Sequence, residues 1–212
     1  MKKWRFPLLT ACLLFASACS TTQVEVIDLN KVLDVMTATI DSFADQKVEG
    51  AEEGANAEEV LAAAASDNQV VSSEFLATYT KNLNEAKVMS TPVGTLMRPD
   101  GAIEGFQDSN ADGKKDSGEQ QLFTVEIDVE RARLIATDTQ NSYHRDSGFH
   151  ISPGSIFMGY MLGSMLSRQR ASGISPSRYS NMKMSPRNYH SSAVSSARAR
   201  ASGGSRSFSS GK

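Results

Sequence analysis

Cysteine is scarce in this sequence. The chain of 212 residues has only Cys12 and Cys19. Cys12 lies in an N-terminal stretch that we expect to be removed, so a mature chain with one cysteine could not form an internal disulfide. A chain without disulfides depends on its apolar core, on a metal or on partners for stability.

Long apolar runs are missing at the N-terminus. Residues 8–16 are apolar, but a membrane-spanning helix needs about 20 such residues. The run follows the basic residues Lys2, Lys3 and Arg5 and precedes a group of small residues. This order is typical of a signal peptide, which we place at residues 1–18.

The residues around Cys19 carry a family resemblance. Ala16, Ser17, Ala18 and Cys19 resemble the lipobox of bacterial lipoproteins, although lipoboxes favour Leu where Ala16 stands. The resemblance implies a lipid on Cys19 as the first mature residue, and Ser20 implies sorting to the outer membrane, facing the periplasm. The acyl chains of this lipid would anchor the protein stably, because each buried CH₂ group contributes about 0.8 kcal/mol to membrane binding. An ordinary secretory signal cut after Ala18 is the alternative.

Acidic residues are absent beyond Asp146. All 24 Asp and Glu lie between Glu25 and Asp146, together with ten Lys or Arg, whereas residues 147–212 hold nine Lys or Arg. The formal charge of −2 at pH 7 therefore combines an acidic half with a basic half. The change of sign marks the main boundary of the chain.

The acidic half predicts an α+β fold. Asp28 is a plausible N-cap for a lipid-anchored helix within residues 19–46. The apolar stripe of this helix consists of Leu29, Leu33, Met36, Ile40 and Phe43. Because the stripe covers two heptads, it favours packing on its own domain over a coiled coil. A linker at 47–57 would lead to an acidic domain at 58–146, with helices at 58–65 and 73–87.

Short strands are expected in the second part of this domain, at 95–97, 102–106, 122–130 and 133–137. Apolar and polar residues alternate along 122–130, which predicts a half-buried strand. The apolar set is Phe123, Val125, Ile127 and Val129. These strands would form a small antiparallel β unit.

A calcium-loop pattern lies between two of the expected strands. Asp108, Asn110, Asp112, Gly113, Lys114, Asp116 and Glu119 follow the spacing D-x-[DN]-x-[DN]-G-x₅-E. Calcium takes six to eight hard oxygen ligands, and alternate residues of a tight loop can turn their oxygens inward. Lys114 would contribute its backbone carbonyl and Glu119 both carboxylate oxygens, while Gly113 permits the turn. A polar loop rich in Asp and Gly is the alternative.

This loop resembles those of dockerins and of the B-type repeats of serine-aspartate-repeat adhesins. The resemblance covers residues 105–129 and implies a structural Ca²⁺ site on Asp108, Asn110, Asp112, Lys114, Asp116 and Glu119. It implies no adhesive activity. EF-hands normally have an apolar residue where Lys115 stands, so we expect the loop to work alone.

The basic half opens with a glycine-containing apolar segment at 147–170. Gly159 and Gly163 form a G-x-x-x-G pair, which lets helices approach closely in lipid. Three interpretations of residues 151–166 stay open: a helix packed on the acidic domain, an interfacial or membrane-inserted helix, and a self-association element.

The tail at 171–212 has 14 Ser in 42 residues and few aliphatic side chains. This composition predicts a disordered tail. Its basic charge suits an anionic partner, such as lipopolysaccharide, phospholipid head groups or the acidic half of the same chain. A solvated tail with only weak contacts is the alternative. Nucleic acid is not an expected partner.

No enzyme signature is found. His144, Asp146 and His150 could gather around a metal, but their spacing fits no zinc pattern and favours a surface turn. We therefore expect no enzyme. The expected function is that of a lipid-anchored envelope protein with a structural calcium site, acting as an interaction or structural component. The alternative is a membrane-active or self-associating envelope-stress component that uses residues 151–166.

Overall fold

The computed structural model describes residues 25–49, 68–128, 130–140, 142–147, 156–175 and 177–202. The elements are α1 (Leu29–Glu49), α2 (Asn68–Glu85), β1 (Val93–Met97), β2 (Ile103–Gln107), β3 (Gln121–Asp128), β4 (Arg133–Asp138), β5 (Tyr143–Asp146), α3 (Ile156–Ala171), α4 (Ser177–Ser180) and α5 (Tyr189–Ser202). The predicted α+β class is confirmed. The signal peptide, Cys19 and the helix expected at 58–65 lie outside the described residues.

Helix α1 begins where its capping residue predicts. Asp28 Oδ1 accepts hydrogen bonds from Asn30 N (3.0 Å) and Lys31 N (3.4 Å), two N–H groups that have no partner inside the helix. The stripe residues Leu29, Leu33, Met36 and Ile40 are each at most 3% exposed. The helix packs on α2, β4 and β5, and it continues to Glu49, into the expected linker.

Helix α2 lies beside α1 and starts five residues before the expected position. Phe75, Tyr79 and Leu83 are fully buried on its inner face. The Tyr79 hydroxyl donates to Val32 O at 3.1 Å, which ties the two helices together.

The five strands form one antiparallel sheet in the order of the sequence, β1-β2-β3-β4-β5. In its centre Ile103 pairs with Val125, and Val125 with Ala136. These three residues are buried together with apolar side chains of α1 and α2. The core therefore lies between one face of the sheet and the two N-terminal helices.

The second face of the sheet is also covered. Thr124, Glu126 and Asp128 of β3, which point away from the core, are 7%, 4% and 0% exposed. The expectation of a half-buried strand is therefore wrong for β3. His144 and Asp146, expected to lie in a surface turn, belong to a fifth strand that pairs with β4, and His150 lies outside the described residues.

Helix α3 closes one end of the sheet. Gln169 is 3% exposed, and its side-chain amide forms hydrogen bonds with Ile127 N (3.2 Å) and Ile127 O (3.3 Å) when its oxygen faces the N–H group. Because β2 pairs with β3 no farther than Val125, this amide continues the ladder where the strand stops. The C-terminal half of α3 thus packs on the domain.

The described part of the tail differs from the expected disorder. Residues 177–202 contain α4 and α5, and Tyr179 and Tyr189 are each 2% exposed. The Tyr189 hydroxyl accepts a hydrogen bond from Leu29 N, and its ring centroid lies 5.5 Å from that of Tyr143. Two buried tyrosines supply apolar area that the count of aliphatic residues overlooked. Residues 203–212 lie outside the described residues.

The start of the described chain and the candidate loop share one end of the sheet. Ser90 N donates to Glu25 Oε1 at 2.8 Å. Two residues later, Pro92 O accepts a hydrogen bond from Asp108 N at 3.0 Å. The chain therefore enters the domain close to the first residue of loop 108–119.

Candidate metal centre

The candidate loop connects β2 to β3 and is fixed by the sheet at both ends. Gln107 N donates to Gln120 O at 2.9 Å, and Asp108 N bonds Pro92 O beside β1. The loop therefore cannot shift along the sheet without breaking backbone hydrogen bonds.

Asp108 organises the first half of the loop. Its carboxylate is 4% exposed and accepts hydrogen bonds from Asp112 N (3.1 Å) and Gly113 N (2.9 Å). Gly113 has φ of 73° and Ala111 has φ of 57°, both in the left-handed region, which glycine adopts without steric cost. The sharp turn expected at Gly113 is confirmed.

Glu119 closes the loop from the other side. Its Oε1 accepts from Ser109 N at 2.8 Å, and its Oε2 accepts from Asp116 N at 3.0 Å. Both carboxylate oxygens thus point into the loop, and they join its last residue to Ser109 and Asp116.

Three further side chains face one another across the loop. Asn110 Nδ2 donates to Asp112 Oδ2 (3.2 Å) and to Asp116 Oδ2 (3.0 Å). Asp112 Oδ1 accepts from Lys114 N at 2.8 Å. The five predicted side-chain ligands therefore belong to one hydrogen-bonded group of residues.

The donor set suits a hard cation, because it consists of four carboxylates and one amide. The carboxylate oxygens face N–H groups in this conformation, and within the described ranges no three His, Cys, Asp or Glu side chains are gathered as metal ligands. Each carboxylate oxygen has a second lone pair beside the hydrogen bond it accepts.

The departure at Lys115 has a structural reason. Its ammonium group pairs with the Glu104 carboxylate on β2, whose side chain is 8% exposed. A buried carboxylate needs such a partner. Lys115 therefore neutralises a buried carboxylate of the sheet. Paired EF-hands have an apolar residue at this position.

The other predicted site residues are separated from this loop. Gly159 and Gly163 lie in α3, and a Cβ at Gly163 would meet no atom within 4 Å. Among the described helices, none has the length and apolarity needed to cross a membrane. Cys19, the predicted lipid attachment site, precedes the first described residue.

Sequence reasoning missed a polar cluster on the second face of the sheet. Burial raises the pKa of Glu126, and Asp100 raises it further, while Arg178 opposes the shift. Arg178 Nη2 lies 3.4 Å from Glu126 Oε1. Nearby, Asp128 accepts from Arg133 Nε at 2.9 Å, and Arg133 Nη1 donates to Asp146 at 2.7 Å. Apolar and polar alternation could not reveal this cluster, because its two arginines come from different elements, Arg178 from α4 and Arg133 from β4.

An open pocket of about 470 Å³ lies beside β5. It is lined by Ser142, His144, Asn181, Met182, Lys183, Met184, Ser185 and Pro186. Ser185 N donates to His144 O at 2.7 Å, which holds residues 181–186 against the strand.

Burial lowers the pKa of His144, and the charge of Arg178 lowers it further. Asp146, which the disfavoured metal interpretation grouped with His144, is bound by Arg133.

Comparison with known proteins gave no match: no family model, no curated protein and no solved structure is significantly similar to this chain.

Proposed function

We propose that this protein is a lipid-anchored component of the bacterial cell envelope, that its domain carries a structural calcium site, and that it acts through interactions and not as an enzyme. The lipobox-like residues before Cys19 support the anchor. The observation that carries the calcium proposal is the closure of loop 108–119 by both oxygens of Glu119.

Calcium would make loop 108–119 more ordered. Asp108, Asn110, Asp112, Asp116 and Glu119 would supply side-chain oxygens, and Lys114 its carbonyl. A lone extracellular loop of this class binds at about 10⁻⁴ to 10⁻³ M. When the calcium concentration equals the dissociation constant, the stabilisation is only about 0.4 kcal/mol. A structural role is therefore better supported than a switch.

Calorimetry with Ca²⁺ tests the site on residues 20–212, which contain every described residue. We expect one site of submillimolar to millimolar affinity, and at least about tenfold weaker binding in Glu119→Gln, since a bidentate ligand is lost. Glu130→Gln, an exposed acid in the β3–β4 turn, is the matched control and should bind like the wild type. Absence of heat at millimolar calcium, or equal binding by both variants, would reject the site.

Lipid labelling in cells tests the anchor. The full chain should incorporate labelled fatty acid and sediment with membranes, and Cys19→Ser should abolish the labelling. Cys12→Ser is the control, because this residue belongs to the expected signal peptide. Labelling that survives Cys19→Ser would refute the anchor. Fractionation of the two membranes tests the proposed outer-membrane location.

Self-association through α3 is a second candidate, favoured by the open space beside Gly163. Sedimentation of residues 20–212 would show a concentration-dependent dimer that Gly163→Leu weakens. A monomer at all concentrations, absent from vesicles, would remove both this candidate and the membrane-active one.

The basic C-terminal region would contact an anionic envelope surface. Arg178, Lys183, Arg187 and Arg198 are exposed, and such side chains contribute about 1 kcal/mol each near an anionic lipid surface. Binding of residues 20–212 to anionic but not neutral vesicles would support this partner.

A further inference from the structure

We propose that His144, Met182 and Met184 form a binding site for a soft monovalent cation, Cu(I) or Ag(I). All three residues line the open pocket beside β5. Thioether and imidazole groups are the neutral protein donors that suit such ions. Neither the calcium loop nor the lipid anchor contributes to this site.

The two methionines are brought to the pocket by the backbone. Residues two apart have Cα atoms at most about 7 Å from each other, so Met182 and Met184 can direct their sulfur atoms to one point. The Ser185 N to His144 O bond of 2.7 Å places this segment directly beside the histidine. Arg145 Nη1 donates to Ser185 O at 3.3 Å, a second hydrogen bond between β5 and this segment. Both methionines are half-exposed, outside the buried core.

The histidine is oriented as a ligand would be. His144 Nδ1 lies 3.0 Å from Thr137 Oγ1, and within the described part of the chain no hydrogen bond to Nε2 is found. Ligating histidines usually have one ring nitrogen held by such a partner while the other binds the metal. Thr137 is therefore a positioning residue for this site.

The surroundings select against hard divalent ions. No carboxylate lines the pocket, and the nearby Asp146 is bound to Arg133 at 2.7 Å. Lys183 also lines the pocket and repels a divalent ion more strongly than a monovalent one. Uncharged soft donors with no acid thus favour Cu(I) or Ag(I) over Ca²⁺ and Zn²⁺.

Titration of residues 20–212 with Ag(I), the redox-stable probe, tests the proposal. This chain contains no cysteine, so no thiolate competes for the ion. We expect one equivalent to bind and to shift the methyl NMR signals of Met182 and Met184. Met182→Leu with Met184→Leu, and separately His144→Gln, should each weaken binding at least tenfold, and Thr137→Val about tenfold.

Met97→Leu is the matched control, since Met97 packs against the core away from the pocket. Glu119→Gln should bind Ag(I) unchanged, which separates this proposal from the calcium site. The proposal is overturned if the wild type binds no Ag(I) at micromolar concentration, if Zn²⁺ binds more tightly, or if the methionine variant binds like Met97→Leu.

Discussion

At the scale of single residues, Glu126 carries an energetic cost that its neighbours only partly offset. It is 4% exposed on the second face of the sheet, and its nearest cation, Arg178, has a side chain that is 49% exposed. Burial raises the pKa of Glu126 despite this arginine. A carboxyl group with a raised pKa in the folded state favours folding in its protonated form.

Glu126→Gln should therefore be more stable than the wild type at pH 7. The wild type loses stability relative to this uncharged variant as the pH rises from about 4.5, the ordinary value for Glu, through the raised pKa. Urea unfolding at pH 4 and pH 7 measures the difference, which should be present at pH 7 and nearly absent at pH 4. A less stable variant at pH 7 would mean that the Arg178 pair outweighs burial. Glu130→Gln, exposed in the β3–β4 turn, is the control.

At the scale of elements, the hairpin of β2 and β3 depends on a close approach. The register between these strands shifts at Gly105 and Phe106, and a Cβ at Gly105 would overlap the ring of Phe123. The ring thus occupies the space that a side chain on β2 would fill.

Gly105→Ala should destabilise the protein by about 1 to 3 kcal/mol, the range for overpacking a core. Chemical denaturation measures this free energy of unfolding. Gly118→Ala is the matched control, because a Cβ there would meet no atom within 4 Å and should change stability by less than about 0.5 kcal/mol. Equal stability of both variants would show that the Phe123 ring moves aside.

The elements that local sequence predicted are those whose pattern lies within one segment. The α1 stripe repeats within four turns, and the candidate loop has all its residues within 108–119, so both could be located from spacing. The contact of Arg178 with Glu126 could not be located from spacing, because Arg178 lies 52 residues further along the chain. For the same reason no local pattern joined His144 to Met182. Calcium binding by the loop stays a prediction.

At the scale of the whole molecule, the C-terminal helix α5 packs against the N-terminal end of α1. Tyr189 of α5 is buried against the first turn of α1, and its hydroxyl accepts from Leu29 N. His190 Nε2 lies 3.1 Å from Val26 O in the same place. The two ends of the described chain are therefore packed together.

A chain ending at residue 176 should lose at least about 1.5 kcal/mol of stability, the lower end for one large buried side chain. It removes Tyr189 and also Tyr179, whose buried hydroxyl has no hydrogen-bond partner among the described residues. A chain ending at residue 202 keeps both tyrosines and should unfold like the chain ending at 212. Thermal and urea unfolding compare the three. If the shortest chain were as stable as the longest, residues 177–202 would not belong to the folded domain.

The hydrogen bond between Ser90 N and Glu25 fixes Glu25 on the domain, so the segment from Cys19 to Glu25 limits how far the domain can lie from a lipid on Cys19. Five residues lie between Cys19 and Glu25, and a fully extended chain from one to the other reaches only about 20 Å. With a lipid on Cys19, Glu25 would therefore stay within about 20 Å of the bilayer surface, roughly two Debye lengths at physiological ionic strength. Anionic head groups act only within about one Debye length, so loop 108–119 would meet the calcium they concentrate only where the domain lies close against the bilayer.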